Sequence, residues 1–431
     1  MKGIQYSRLA AVFFMTALVI AHSSLVAMAG EPRIHGFFVQ PSLGYGATNH
    51  EKFSSQEEYD QWLQSMADTG AEMLFYQWVT HYENTPPDWY ITAYGGSPDT
   101  DFAFYNPKPV TINGIPTRGW VTPTNWPGSP KQGGKEPVAY LLDAAQKAGI
   151  KVWLGLYLNE GENSPYNWWN AITDSNLTTE DRAAIEHHVE RSIAVVNDLA
   201  EQYGNHPALG GLYYSIEIAN IAFIPSGNHP YLASILDRVA KAVHTALPGK
   251  QLAICPFFNT GLPTTAQEFG DMLEYALKNS ELDILMLQDG VGVDPHTLTP
   301  INDQVTEYFV AARNAAAAAG KPFWGNAELF TNLGTREAPQ LISSTMEKIR
   351  LQLETIAPHV DKIISFDFHF MDPNDAYTFY EPLGGTVETD RAMRQNLYDG
   401  YTAYWQQWKE QQRRPALPAV LSLLLQEEAT E

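Results

Sequence analysis

One cysteine, Cys255, stands in the 431 residues. No intrachain disulfide can form, and a single thiolate cannot build a cysteine-based metal site. Stability must come from the size of the packed core, which a chain with 44% hydrophobic residues can supply. Positive charge is also scarce: 27 Lys and Arg stand against 49 Asp and Glu, a formal net charge of −22. That balance argues against nucleic acid and polyanionic partners, which prefer basic surfaces. Long apolar runs are missing beyond the N-terminus, so no later segment is expected to span a membrane. Metal-hydrolase signatures are missing too. No HxH follows the first strand-like run and no HExxH occurs. His81-Tyr82-Glu83 lacks the cysteine pair of a zinc deaminase. His187-His188 falls in a helical segment whose neighbours predict a solvated face. The residues call for no metal and no cofactor.

Residues 1–29 read as a secretory signal. Lys2 and Arg8 form its basic start, 9–20 its apolar run, and Ala27-Met28-Ala29 a small-x-small cleavage site. Cleavage would leave a formal charge of about −24, because two cations depart with the signal. The expected location is periplasmic or extracellular, with no membrane insertion afterwards. The mature chain reads as one domain over 30–411, followed by a tail, 412–431, that is Leu-rich over 417–425 and acidic at its end.

Past residue 33 one pattern repeats: a short apolar strand, a polar loop, an amphipathic helix. Strands are predicted at 34–39, 73–78, 151–158, 210–217, 251–257, 283–288, 322–328 and 362–369. Helices are predicted around 55–69, 136–148, 179–203, 230–246, 265–279, 301–319, 338–357 and 389–411. Ser54-Ser55 with Glu57-Glu58, and Thr178-Thr179 with Glu180, supply capping signals, while Gly70, Gly149, Gly204 and Gly320 suit helix ends. Eight alternating units predict an α/β fold, a closed (β/α)8 TIM barrel. An open doubly wound sheet is disfavoured, because no glycine-rich phosphate fingerprint follows the first strand. The loops are long and aromatic. Stretch 79–135 holds Tyr82, Trp89, Tyr90, Tyr94, Trp120 and Trp126, and 161–176 holds Trp168-Trp169. Both follow strands and so belong to the face where barrel active sites form; their rings can stack on a ligand or on one another.

Alternate strand residues face the lumen. In the fourth strand Gly211, Tyr213, Ser215 and Glu217 share the inward parity, and in the seventh Trp324, Asn326 and Glu328 share it. Each row ends on a glutamate at the C-terminal edge. Gln77 tops the second strand and Asn159 the third; Asn259 lies past the fifth, and Asp367 and His369 end the eighth. The sixth is ambiguous between Gln288 and Asp289. Gln40, Trp78 and Tyr157 complete the polar and aromatic groups expected to meet a ligand, with Tyr213, Asp289 and Trp324. Asp367 and His369 could equally pair with each other, and Gln77, Asn159 or Asn326 could tie down a loop. So many polar groups at one end of a lumen need hydrogen bonds to offset their desolvation, which a ligand cleft supplies. Two carboxyls fit one chemistry well. Glycosidic cleavage needs a proton for the leaving oxygen and a negative charge beside an oxocarbenium-like centre.

The stretches FFVQPSLGYG, MLFYQWVTHYE, YYSIEIAN, QDGVG and FWGNAELF resemble an uncharacterised bacterial family of glycoside-hydrolase-like barrels, the domain of unknown function 4434, over roughly residues 33–335. Glutamates ending strands four and seven are also the layout of the large retaining glycoside-hydrolase clan. The resemblance implies Glu217 as general acid/base, Glu328 as nucleophile and a carbohydrate substrate. One departure stands out: clan members often carry Asn before the first glutamate, and here it is Ile216. Extended aromatic loops would suit a polysaccharide. The alternative is a non-catalytic glycan-binding barrel in polysaccharide export or surface assembly, which would keep the cleft and tolerate loss of either glutamate.

Overall fold

A computed structural model describes residues 31–40, 55–83, 100–107, 111–112, 115–116, 134–159, 164–293, 303–335, 340–373 and 387–413. The predicted export signal, nearly all of the tail and the rings of Trp89, Trp120 and Trp126 lie outside these residues. Eight parallel strands close a barrel: β1 (Ile34–Val39), β2 (Met73–Tyr76), β3 (Lys151–Gly155), β4 (Leu209–Tyr213), β5 (Gln251–Ile254), β6 (Ile284–Gln288), β7 (Phe323–Glu328) and β8 (Lys362–Phe366). Each pairs with its sequence neighbour, and β8 returns to β1. The protein is a (β/α)8 TIM barrel. Helices α1 (Gln56–Asp68), α2 (Pro137–Ala148), α3 (Thr179–Tyr203), α4 (His229–Ala246), α5 (Ala266–Lys278), α6 (Asp303–Ala319), α7 (Met346–Ile356) and α8 (Val387–Arg413) follow the strands in turn.

Local signals explain the element boundaries. Ser55 and Glu58 form a capping box at α1; at α3 the partner of Thr178 is Asp181, the residue that reaches back to the cap. Gly70, Gly149 and Gly320 adopt positive φ past helix ends, whereas Gly204 at φ −54° remains right-handed. The helix expected over 338–357 starts only at Met346. The residues before it make a strand, Leu341–Ser343, that pairs with Phe330–Asn332. The third predicted strand breaks at Gly155, and Tyr157–Asn159 joins Thr80–Glu83 and Thr100–Ala103 in a separate small sheet. The aromatic stretch 161–176 contains a short helix, Trp168–Ile172.

Two apolar layers hold the fold. The outer one lies between strands and helices, and the inner one fills the lumen with Phe38, Phe75, Trp153, Tyr213, Met286 and Trp324. Trp153 packs beside Gly211, where a Cβ would come 2.4 Å from the indole nitrogen, so the glycine makes room for the ring. His188 departs from the solvated face expected for α3. It is fully buried against Tyr157 and Trp168, with Nε2 3.1 Å from the Tyr166 carbonyl. Among the described residues no helix is long and apolar enough to cross a membrane.

Candidate active site

The mouth is built from the ends of β1, β2, β4, β6 and β7. Regular β4 stops at Tyr213, yet the chain stays tied to the barrel beyond it. The Tyr214 N–H donates to the Ala253 carbonyl at 2.9 Å, and the Phe257 N–H donates to the Ile218 carbonyl at 3.0 Å. Ser215 Oγ donates to the Gln77 carbonyl at 2.6 Å, linking β4 to the end of β2. That link passes over Gly155, where a Cβ would sit 2.1 Å from the same Gln77 oxygen. Trp168 Nε1 then donates to the Glu217 carbonyl at 2.7 Å. The Glu217 backbone is thus held from two sides, and its half-buried carboxylate accepts from Gln288 Nε2 at 3.0 Å.

Gln288 resolves the ambiguity in the sixth strand. Ile284 and Met286 belong to the lumen cluster, so Gln288 continues the inward row and Asp289 turns away. Gln288 Nε2 also donates to the Cys255 carbonyl at 3.2 Å, and Gln288 is the register partner of Asn326. One amide therefore connects the Glu217 carboxylate to the β6–β7 edge, two residues below Glu328. Burial pushes the Cys255 thiol up, and the charges of Glu217 and Glu328 both add to that shift. A single buried atom feels both carboxylates.

Glu328 is 3% exposed, and its Oε2 accepts the N–H groups of Gly292 and, at 3.0 Å, Val293. Burial raises its pKa above the ordinary carboxylate range, and the neighbouring charge of Asp289 raises it further. The two N–H donors and Lys348 act in the opposite direction. Among the described residues, Gln40, Gln77 and Asn326 each carry a buried side-chain carbonyl oxygen without a hydrogen-bond partner. Val39 and Tyr76 are register partners, so Gln40 and Gln77 follow each other at the top of β1 and β2.

Other predicted ligand groups are placed elsewhere. Tyr213 and Trp324 face the lumen but lie deep in it; Trp324 pairs in register with Lys362, whose Nζ is 5.5 Å from the indole centroid. Trp78 turns outward and stacks on His81 with centroids 5.1 Å apart. Tyr157 belongs to the outer layer under Arg191, and Asn159 Nδ2 donates to Tyr157 Oη and Ser164 Oγ, both at 3.1 Å. Asn259 Oδ1 accepts the Gly261 N–H at 2.8 Å, and its own N–H donates to Asn220. Asp367 and His369 are buried against each other, 3.2 Å apart, with His369 beside Trp62. Asp289 lies fully buried behind β6, where Gln352 Nε2 donates to it at 2.8 Å. Strand-end counting leaves Gln288 as one of two candidates, and it does not reach the Gly292–Val293 amides, Lys348 or Gln352. Among the described residues no group of three His, Cys, Asp or Glu could hold a metal ion.

Residues 34–377 match the family described as Domain of unknown function (DUF4434). The chain belongs to that family. No protein among the curated ones matches this DUF4434 chain. Among solved structures it is similar to a candidate alpha-L-fucosidase from Bacteroides thetaiotaomicron, with 19% identity, a TM-score of 0.54, and coverage of 87% of this chain and 93% of that one. It is also similar to GH5_18 from Streptomyces cattleya in complex with GlcNAc, with 15% identity, a TM-score of 0.44, and coverage of 88% and 81%. The endo-1,4-beta-D-mannanase of Thermotoga petrophila follows at 13% identity and a TM-score of 0.45, covering 78% and 88%. These neighbours are glycoside hydrolases by name, and at 19% identity the likeness of the first to this DUF4434 chain is one of fold.

Proposed function

We propose that this DUF4434 barrel is an exported glycoside hydrolase of the retaining type, acting on a carbohydrate chain. The observation that carries the reading is the pair of glutamates, Glu217 past the end of β4 and Glu328 ending β7, joined to one mouth through Gln288. Glu217, half-buried and the more exposed of the two, serves as general acid and then base. Glu328 serves as nucleophile. Its Oε2 is held by two backbone N–H groups that oppose the rise imposed by burial and Asp289, and in the ionised form, which gains as pH climbs toward about 8, Oε1 attacks the anomeric carbon. Departure of the leaving oxygen takes the Glu217 proton. The resulting carboxylate then activates a water that releases the sugar from Glu328.

Sugar hydroxyls fit the remaining groups. Each unpartnered amide oxygen of Gln40, Gln77 and Asn326 forgoes a hydrogen bond worth about 0.5–1.5 kcal/mol, and an O–H donor can restore it. The test is turnover of a panel of aryl glycosides by wild type, Glu217→Gln and Glu328→Gln. Glu217→Gln should lose about 10²–10⁴-fold, with less loss on substrates whose leaving group needs no proton. Glu328→Gln should lose at least as much on every substrate. Binding of oligosaccharides that survives both substitutions, with no turnover by wild type, would favour the glycan-binding barrel instead.

A further inference from the structure

Behind Glu328 sits a polar unit that a simple two-carboxylate mechanism does not use. Lys348 and Gln352 lie one turn apart on α7 and so share a face. Gln352 is fully buried, and its Nε2 donates to Asp289 Oδ2 at 2.8 Å and to the Glu328 carbonyl at 3.1 Å. Asp289 Oδ1 accepts the N–H groups of Val291 at 3.2 Å and Glu328 at 3.3 Å. Lys348 Nζ donates to the Val291 carbonyl at 3.1 Å, the Phe330 carbonyl at 3.3 Å and Thr331 Oγ1 at 2.9 Å. Helix α7 thereby pins both segments that flank Glu328: the turn after β6, whose amides hold Oε2, and the strand after β7.

We propose that Asp289, Lys348 and Gln352 are positioning residues for Glu328, with Gln352 fixing its backbone and the opposed charges of Asp289 and Lys348 setting its protonation state. The inference rests on the reading of Glu328 as the reacting carboxyl. Geometry gives the reason. Burying a second carboxylate beside the first is costly. An ammonium whose three protons all go to neutral oxygens leaves its charge to act through space on both carboxyls. The titratable groups that act on Glu328 or feel its charge include Asp289 after β6, Lys348 on α7 and the buried Cys255 after β5. Glu217 at the end of β4 shares the same mouth. Asp289 raises Glu328, Lys348 lowers it, and Lys348 is itself lowered by burial.

The test reads the carboxyl directly and needs no substrate. Protein labelled with 13C at the glutamate δ-carbon is titrated by NMR, and the Glu328 resonance is assigned by its absence in Glu328→Gln. Asp289→Asn should move its midpoint down and Lys348→Met should move it up, each by about one pH unit. Lys348→Arg, which keeps the charge, should titrate like wild type. Folded variants whose midpoints stay put, or move in the same direction, overturn the proposal, since a merely structural unit would do either. Opposite shifts in a protein that hydrolyses no glycoside uphold this unit and count against the functional reading alone. Absent shifts in an active enzyme do the reverse.

Discussion

A buried carboxylate is an expensive residue, and this molecule keeps two side by side. Glu328 and Asp289 both titrate above the ordinary range, in each case because burial penalises the charged form first. For an acid raised in this way, the folded state holds its proton more tightly than the unfolded one. The associated stability is fully present below the unfolded pKa, near 4, and drains away as pH climbs through the raised folded value. Asp289→Asn removes that drain. The variant should match wild type near pH 4 and exceed it at pH 8 by about 1–2 kcal/mol, as measured by calorimetry across the range. A difference that does not change with pH would mean that packing, and not titration, separates the two proteins. A native residue that lowers stability at neutral pH is expected where activity needs it.

At the scale of elements, strand order and parity were legible because their period is set by the backbone. Apolar alternation assigns Tyr213 of β4 and Trp324 of β7 to the lumen, where both lie. Height along the barrel was not legible. Tyr213 and Trp324 have the right parity for a ligand yet fill the lumen, because parity separates inside from outside and says nothing of depth. The end of a strand was equally hidden. Tyr157 and Asn159 continue the apolar pattern of β3, but β3 stops at Gly155 and the chain leaves for another sheet. Lys348 and Gln352 lie on α7, where part of the expected helix became a strand, and no local pattern marks a helix as reaching behind a site. Gly155 is the hinge of this arrangement, since β2 crosses it closely enough for Ser215 to reach Gln77. Gly155→Ala should therefore destabilise the fold by about 1–3 kcal/mol, read as a lower denaturation midpoint with unchanged slope. An alanine variant of native stability would show that the crossing relaxes without cost.

Seen as a whole, the two ends of the barrel are built to different rules. At the base the buried Arg33 is matched. Arg33 bonds Glu31 and Glu72 and lies 5.0 Å from the Trp405 ring, while Tyr401 on α8 accepts the Ile34 N–H at 2.6 Å. At the mouth, amide oxygens find no donors among the described residues and carboxyls crowd together. Such an asymmetry is what separates the stability face of a (β/α)8 barrel from its functional face. The most direct measurement of the central claim is the anomeric form of the first sugar released, followed by proton NMR during hydrolysis of a glycoside the enzyme accepts. The account predicts the same anomer as the substrate, because Glu328 forms and then yields a covalent glycosyl intermediate. Appearance of the opposite anomer would contradict it, making Glu328 the base that drives water onto the sugar in a single step.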